Sequence, residues 1–216
     1  QPPSDTFMIV TWQWKNKDRM IRNHGIFQYK GDTAIVILKD LKRQIGRPQQ
    51  RVLRAPKWIG ARYFRIIPFL SDGEEVYVLL GYDGYSAKET VQIIDFLSFE
   101  EGHPVFGGSY LRDSSSQLRL DRRILRYMEG AQVKVTYDEE KQRIVFDHLR
   151  RIDHPGMTGG SSWIPDGTYE AYQLENGTWK YDEKVYQRIL DRPPVNRPEG
   201  RDKDKDLFGR PQNDGQ

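Results

Sequence analysis

The sequence predicts an all-β fold, an antiparallel meander forming a sandwich or partly open barrel, and two observations carry that prediction. The first is a two-residue alternation of apolar and polar side chains, clearest in 132–146. Val133, Val135 and Tyr137 point one way while Lys134 and Thr136 point the other, and after the polar turn 138–142 Ile144 and Phe146 share one face. Successive strand side chains alternate between faces, so this period is the mark of half-buried antiparallel strands. The second is punctuation: 19 glycines and 12 prolines fit a turn-rich β fold. At 216 residues the chain supports one core. A single β-rich domain over 7–191 is expected, with an N-terminal extension, 1–6, and a polar C-terminal tail, 192–216.

The first strand spans 7–15, with Met8, Val10, Trp12 and Trp14 on one side and Phe7, Ile9 and Thr11 on the other. Residues 20–30 read as a second, bent at Gly25, and Gly31-Asp32 turns it into 33–38. Residues 39–57 are polar, basic and broken by Gly46, Pro48 and Pro56, so most of this stretch reads as a long loop. Strands at 61–70 and 75–82 flank Ser71-Asp72-Gly73-Glu74, an Asp-Gly hairpin signal. In 91–99, Val91, Ile93, Leu97 and Phe99 share a face with Asp95 while Ile94 and Phe96 fill the other, so both faces are expected to be covered. Glu101-Gly102 then turns into 104–111.

Residues 118–128 satisfy two periods. Leu120, Ile124, Tyr127 and Met128 fit helical spacing with Gly130 as a cap, and Ile124 and Arg126 against Leu125 and Tyr127 fit a strand. The β context favours a strand from about Arg123 to Tyr127. Residues 153–166 read as a loop, with Pro155-Gly156 and Gly159-Gly160. The last hairpin joins 168–174 to 178–181 across Asn176-Gly177. From Arg192 the composition changes to prolines and alternating Asp and Lys. Nothing there can repay its own ordering entropy, so a surface on the domain or on a partner is expected to hold the tail.

Thirty-four basic residues are interspersed with 31 acidic ones, leaving a net charge of +3. That argues against a dedicated nucleic-acid surface, which needs clustered cations, while a pI near 8.9 permits weak association with anionic surfaces. The absence of cysteine removes disulfides, thiolate metal sites and a cysteine nucleophile. No apolar run approaches the ~20 residues that span a bilayer. The chain starts at Gln1 without a signal peptide, and a processed or trimmed N-terminus is the expectation.

Chemistry-bearing constellations are sparse. Asp147-His148 and Asp153-His154 pair aspartate with imidazole, as metal binding or base catalysis would require, but their spacing matches no metal motif and His-Glu-x-x-His is absent. Gly107-Gly108-Ser109 lacks the second glycine of a nucleophile elbow, and Ser86-Ala87-Lys88 has the wrong spacing for a Ser-x-x-Lys dyad. Gly156–Gly160 is no phosphate loop. Asp83, between Gly81 and Gly84, lacks the alternating acids of a calcium loop and reads as a turn. Glu100-Glu101 and Asp138-Glu139-Glu140 could supply a glycosidase acid pair but read as solvated turn residues. Trp12, Trp14, Trp58, Trp163 and Trp179 are candidates for a stacking or docking platform if two or more share an exposed patch. No catalytic residue, metal site or cofactor is expected.

The segments Thr11-Trp12-Gln13, Leu80-Gly81-Tyr82-Asp83-Gly84, Pro104-Val105-Phe106-Gly107 and Ile144-Val145-Phe146-Asp147-His148-Leu149 occur in an order that resembles a family of uncharacterised exported proteins of Bacteroidota, over roughly residues 7–180. The resemblance implies an all-β domain exported to the periplasm and carries over no catalytic or binding residue. That lineage exports proteins through a large outer-membrane barrel translocon with soluble periplasmic accessory subunits, one of them a plug of its pore. The expectation is therefore a non-enzymatic periplasmic interaction module, an accessory or plug of such a translocon, with an outer-membrane β-barrel or other envelope protein as partner. Its expected contacts are Lys42, Arg43, Arg47 and Arg51 in the basic loop and Arg201, Leu207 and Phe208 in the tail. The alternative is a carbohydrate-binding module or glycan hydrolase, motivated by the aromatics and the β architecture.

Overall fold

The computed structural model describes residues 7–15, 17, 21–84, 86, 88–113, 119–153, 160–183 and 185. Their regular structure is β throughout, apart from one 3-10 turn at Pro48–Gln50. The strands form three open sheets. One outer sheet joins β1 (Phe7–Lys15), β2 (Ile21–Tyr29), β3 (Val36–Asp40) and β5 (Lys57–Trp58) in that order. The central sheet runs β4 (Leu53–Arg54), β9 (His103–Phe106), β8 (Glu89–Glu100), β7 (Glu74–Asp83), β6 (Arg62–Ser71). β11 (Arg123–Met128) pairs with the first half of β8. The other outer sheet runs β10 (Leu111–Arg112), β15 (Thr178–Asp182), β14 (Ser161–Glu175), β13 (Arg143–Asp153), β12 (Val135–Asp138).

The central sheet is apolar on both faces, and this makes the molecule a three-layer sandwich. In β7, Val76, Val78 and Leu80 enter one core with Ile144, Phe146 and Trp179 from the β10–β15 side. Tyr77 and Leu79, on the opposite face of the same strand, enter a second core with Phe27, Leu38 and Trp58 from the β1–β5 side. β8 is likewise buried on both faces, as its doubled apolar pattern predicts. Each such side chain contributes about 1.5–3 kcal/mol on leaving water. β1, by contrast, turns only Phe7, Ile9, Thr11 and Gln13 inward and leaves the alternate positions exposed.

Turn chemistry sets the hairpins. Asp72 and Gly73 have φ of 51° and 84°, and Asn176 and Gly177 have 48° and 74°. These are the two successive left-handed residues of a type I′ turn, whose twist matches that of the flanking strands. Residues 118–128, compatible with helix or strand by spacing, contain the strand β11, because pairing with β8 buries Leu125 and Tyr127. The stretch 104–111 is two short strands, not one: at Gly107 (φ 88°) the chain leaves the central sheet, and β10 pairs with β15 in the outer one. The loop expected over 153–166 is shorter than the sequence indicates. β13 and β14 pair as far as Asp153 with Ser161, so backbone pairing outlasts the apolar pattern. His154 and the tail from 192 lie outside the described residues.

Candidate functional site

Two surfaces stand out: the basic loop and the outer face of the β1–β5 sheet. The loop is tied at its base, where the Lys39 and Leu41 amides donate to the carbonyls of Pro56 and Trp58, both at 2.7 Å. It is pinned from beneath by Arg122, which is fully buried. Arg122 Nε donates to Asp95 Oδ1 at 2.8 Å, and its Nη1 donates to the carbonyls of Pro48 and Arg51 at 2.5 and 2.6 Å. Asp95 is also fully buried and accepts from the Phe96 amide at 2.9 Å and from Tyr63 Oη at 3.1 Å, with Trp58 Nε1 donating to Tyr63 in turn. Burial, and then the Asp95 charge, push the Tyr63 hydroxyl well above its ordinary pKa, so it stays a donor. Gln49 adds a second staple: its carbonyl accepts from the Asp121 amide at 2.7 Å and its Oε1 from the Ile124 amide at 3.1 Å.

The pinned loop presents Arg43, Arg47 and Arg51 as exposed side chains, Arg47 from a left-handed backbone (φ 52°). A cleft of about 530 Å³ opens between residues 47–50 and Leu120, Ile124 and Arg126. Lys42, expected beside these arginines, points inward. Its Nζ lies 2.8 and 2.7 Å from the two Asp83 carboxylate oxygens and 3.6 Å from Asp40 Oδ2, with little of the side chain exposed. Asn23 Nδ2 bridges the same two carboxylates at 3.0 and 3.2 Å, and Gln13 Nε2 reaches Asn23 Oδ1 at 2.8 Å. Asp83 is thus a buried anchor that joins β7 to the loop. Arg201, Leu207 and Phe208 lie outside the described residues.

The second surface is the sheet face away from the core. Val10, Ile26 and Ile37 form one row across three strands, with Ile37 69% exposed. Trp12 and Trp14 project beside them, 45% and 59% exposed, and the Trp12 ring stacks on His24 with centroids 5.7 Å apart. The five tryptophans therefore divide: Trp58 and Trp179 are core, while Trp12, Trp14 and Trp163 are exposed. The outward positions of β1, β2, β3 and β5 carry no carboxylate.

Asp147 does not orient His148. Its carboxylate accepts from the Lys134 amide at 2.6 Å, and burial raises its pKa. His148 sits at the irregularity between Asp147 and Leu149 and reaches across the hairpin instead, with Nδ1 2.8 Å from Asp166 Oδ2 and Nε2 3.8 Å from Glu170 Oε1. Tyr181 Oη donates to that Glu170 oxygen at 2.6 Å. Desolvation opposes the Asp166 charge, yet hydrogen bonds from the Thr168 hydroxyl and amide and from His148 outweigh it and hold Asp166 at about 2. Among the described residues no group of three or more His, Asp or Glu is placed to hold a metal ion. Four of the turn acids are engaged with arginines: Glu100 and Glu101 with Arg54, Glu139 with Arg65, Asp138 with Arg143.

Arg122 and Asp95 were not singled out from the sequence, although a signal existed. Asp95 is the one carboxylate within 91–99, the stretch expected to be covered on both faces, and a buried charge demands a partner. Comparison with protein-family models, curated proteins and solved structures finds no match.

Proposed function

We propose that this chain is a non-enzymatic interaction module of the bacterial cell envelope, docking a protein partner through the loop that carries Arg43, Arg47 and Arg51. One observation supports the reading above others: exposed arginines ride on a loop whose backbone is held by a fully buried ion pair. Arginine is enriched at protein interfaces, and a loop already fixed in its bound shape gives up less entropy on binding. The partner chemistry that fits is a surface presenting carboxylates toward the three guanidinium groups. In line with the resemblance to exported proteins of Bacteroidota, the partner class proposed is an outer-membrane β-barrel, with this chain as a periplasmic accessory or plug subunit of a secretion translocon.

The test is isolation of the chain from its native envelope in mild detergent, with identification of what accompanies it. An outer-membrane barrel is expected with the native chain and is lost with R43E/R47E/R51E. A monomer alone, or a complex indifferent to the triple charge reversal, overturns the reading.

A further inference from the structure

The outer face of the β1–β2–β3–β5 sheet combines two chemistries and lacks a third. Its middle is apolar, with Val10, Ile26 and Ile37 in one row and Trp12 and Trp14 alongside. Its cations are Arg22, opposite Trp14, and Lys39 and Lys57, which are neighbours across the β3–β5 pair. Acids, 31 in the whole chain, are missing from every outward position of these four strands. The patch is about 30 Å long and roughly 15 Å wide from strand dimensions.

We propose that this face binds the surface of an anionic lipid bilayer. Tryptophan favours the boundary between headgroups and acyl chains, where its ring is apolar and its N–H can still bond. Lysine and arginine at such a surface are drawn by the lipid phosphates, and flexible lysine stems reach them while an apolar row rests against the boundary. A protein partner is the weaker fit, because lysine is depleted from protein interfaces. Nucleic acid is weaker still, because exposed Ile and Val offer phosphates and bases nothing. No helix among the described residues is long and apolar enough to cross a membrane, and the contact proposed for this face is with the bilayer surface. This inference uses a different surface from the arginine loop and stands without it.

Flotation of the full chain with phosphatidylcholine vesicles, with and without phosphatidylglycerol, tests the proposal. Binding is expected only with phosphatidylglycerol, weakening as salt rises, with a blue shift in tryptophan emission. Both W12A/W14A and K39E/K57E, at exposed positions and checked for retained β structure by circular dichroism, are expected to lower partitioning about tenfold or more. Trp163→Ala, also exposed but on β14, is expected to leave it unchanged. Absence of flotation, equal flotation with phosphatidylcholine alone, or indifference to both double variants overturns the proposal. So does a concentration-dependent dimer abolished by W12A/W14A, which would assign the face to a second copy, or a soluble glycan or nucleic acid that binds through Trp12 and Trp14 while vesicles do not.

Discussion

Arg122 and Asp95 concentrate the fold's electrostatic risk in one place. Both side chains are fully buried, and a charge left there without its partner has no water to recover. Asp95→Asn or Arg122→Met is therefore expected to cost about 3–5 kcal/mol in urea unfolding, while replacing both by apolar residues recovers much of that loss. Gly107 belongs to the same device, since a Cβ there would lie 2.5 Å from Arg122 Nη2. Tyr172 is a neutral case: among the described residues its buried hydroxyl has no hydrogen-bond partner. Tyr172→Phe is expected to leave stability unchanged or raise it by about 1 kcal/mol. Burial pushes Tyr127 and Tyr172 up to about 12 from the ordinary 10.0. The unfolded chain then loses these protons first, so stability is complete below the ordinary value and declines as pH rises from there towards about 12. A plot of unfolding free energy against alkaline pH checks this, and Y172F is expected to flatten its fall.

At the scale of elements, the stretch that follows β3 shows how a long loop can be held in place by buried partners. Its charges face two ways: Arg43, Arg47 and Arg51 outward, Lys42 inward onto Asp83 and Asp40. Sequence gives all four cations the same appearance, and only the approach of β7 distinguishes Lys42. Lys42→Met is expected to remove the cation that ties the loop to Asp83 and Asp40 and loosen this loop before the sheets, read as amide exchange that accelerates over the native chain at Leu41, Gln44 and Ile45 more than at Val78 or Leu79. The hairpin turns at Asp72-Gly73 and Asn176-Gly177 were legible because their requirement is local, a pair of left-handed residues. The β13–β14 extension was not, because ladder pairing between Leu149–Asp153 and Ser161–Pro165 leaves no burial period to read. His148 finds Asp166 only through that register.

Across the whole molecule, the shared central sheet couples the two cores. β7 places Val78 in one and Leu79 in the other, so a cavity on either side weakens the same strand. Leu79→Ala and Val78→Ala are each expected to lower one cooperative transition by about 1–5 kcal/mol without splitting it. Calorimetry checks this, and two separated transitions in either variant would mean that the layers unfold independently. The arrangement also leaves the β1–β5 sheet with one face on the core and one outside, which is why Met8, Val10, Trp12 and Trp14 can be apolar and exposed.

Alternation and turn dipeptides along the chain were enough to establish the β class, most strand positions and the double coverage of 91–99, because these depend on neighbours within a few residues. Tertiary structure alone decided which side of β1 meets the core, that Asp95 answers Arg122, and that Lys39 and Lys57 join Trp12 and Trp14 on one face. Those facts depend on which strands lie side by side, and strand order is set by long-range packing that leaves no periodic trace in sequence.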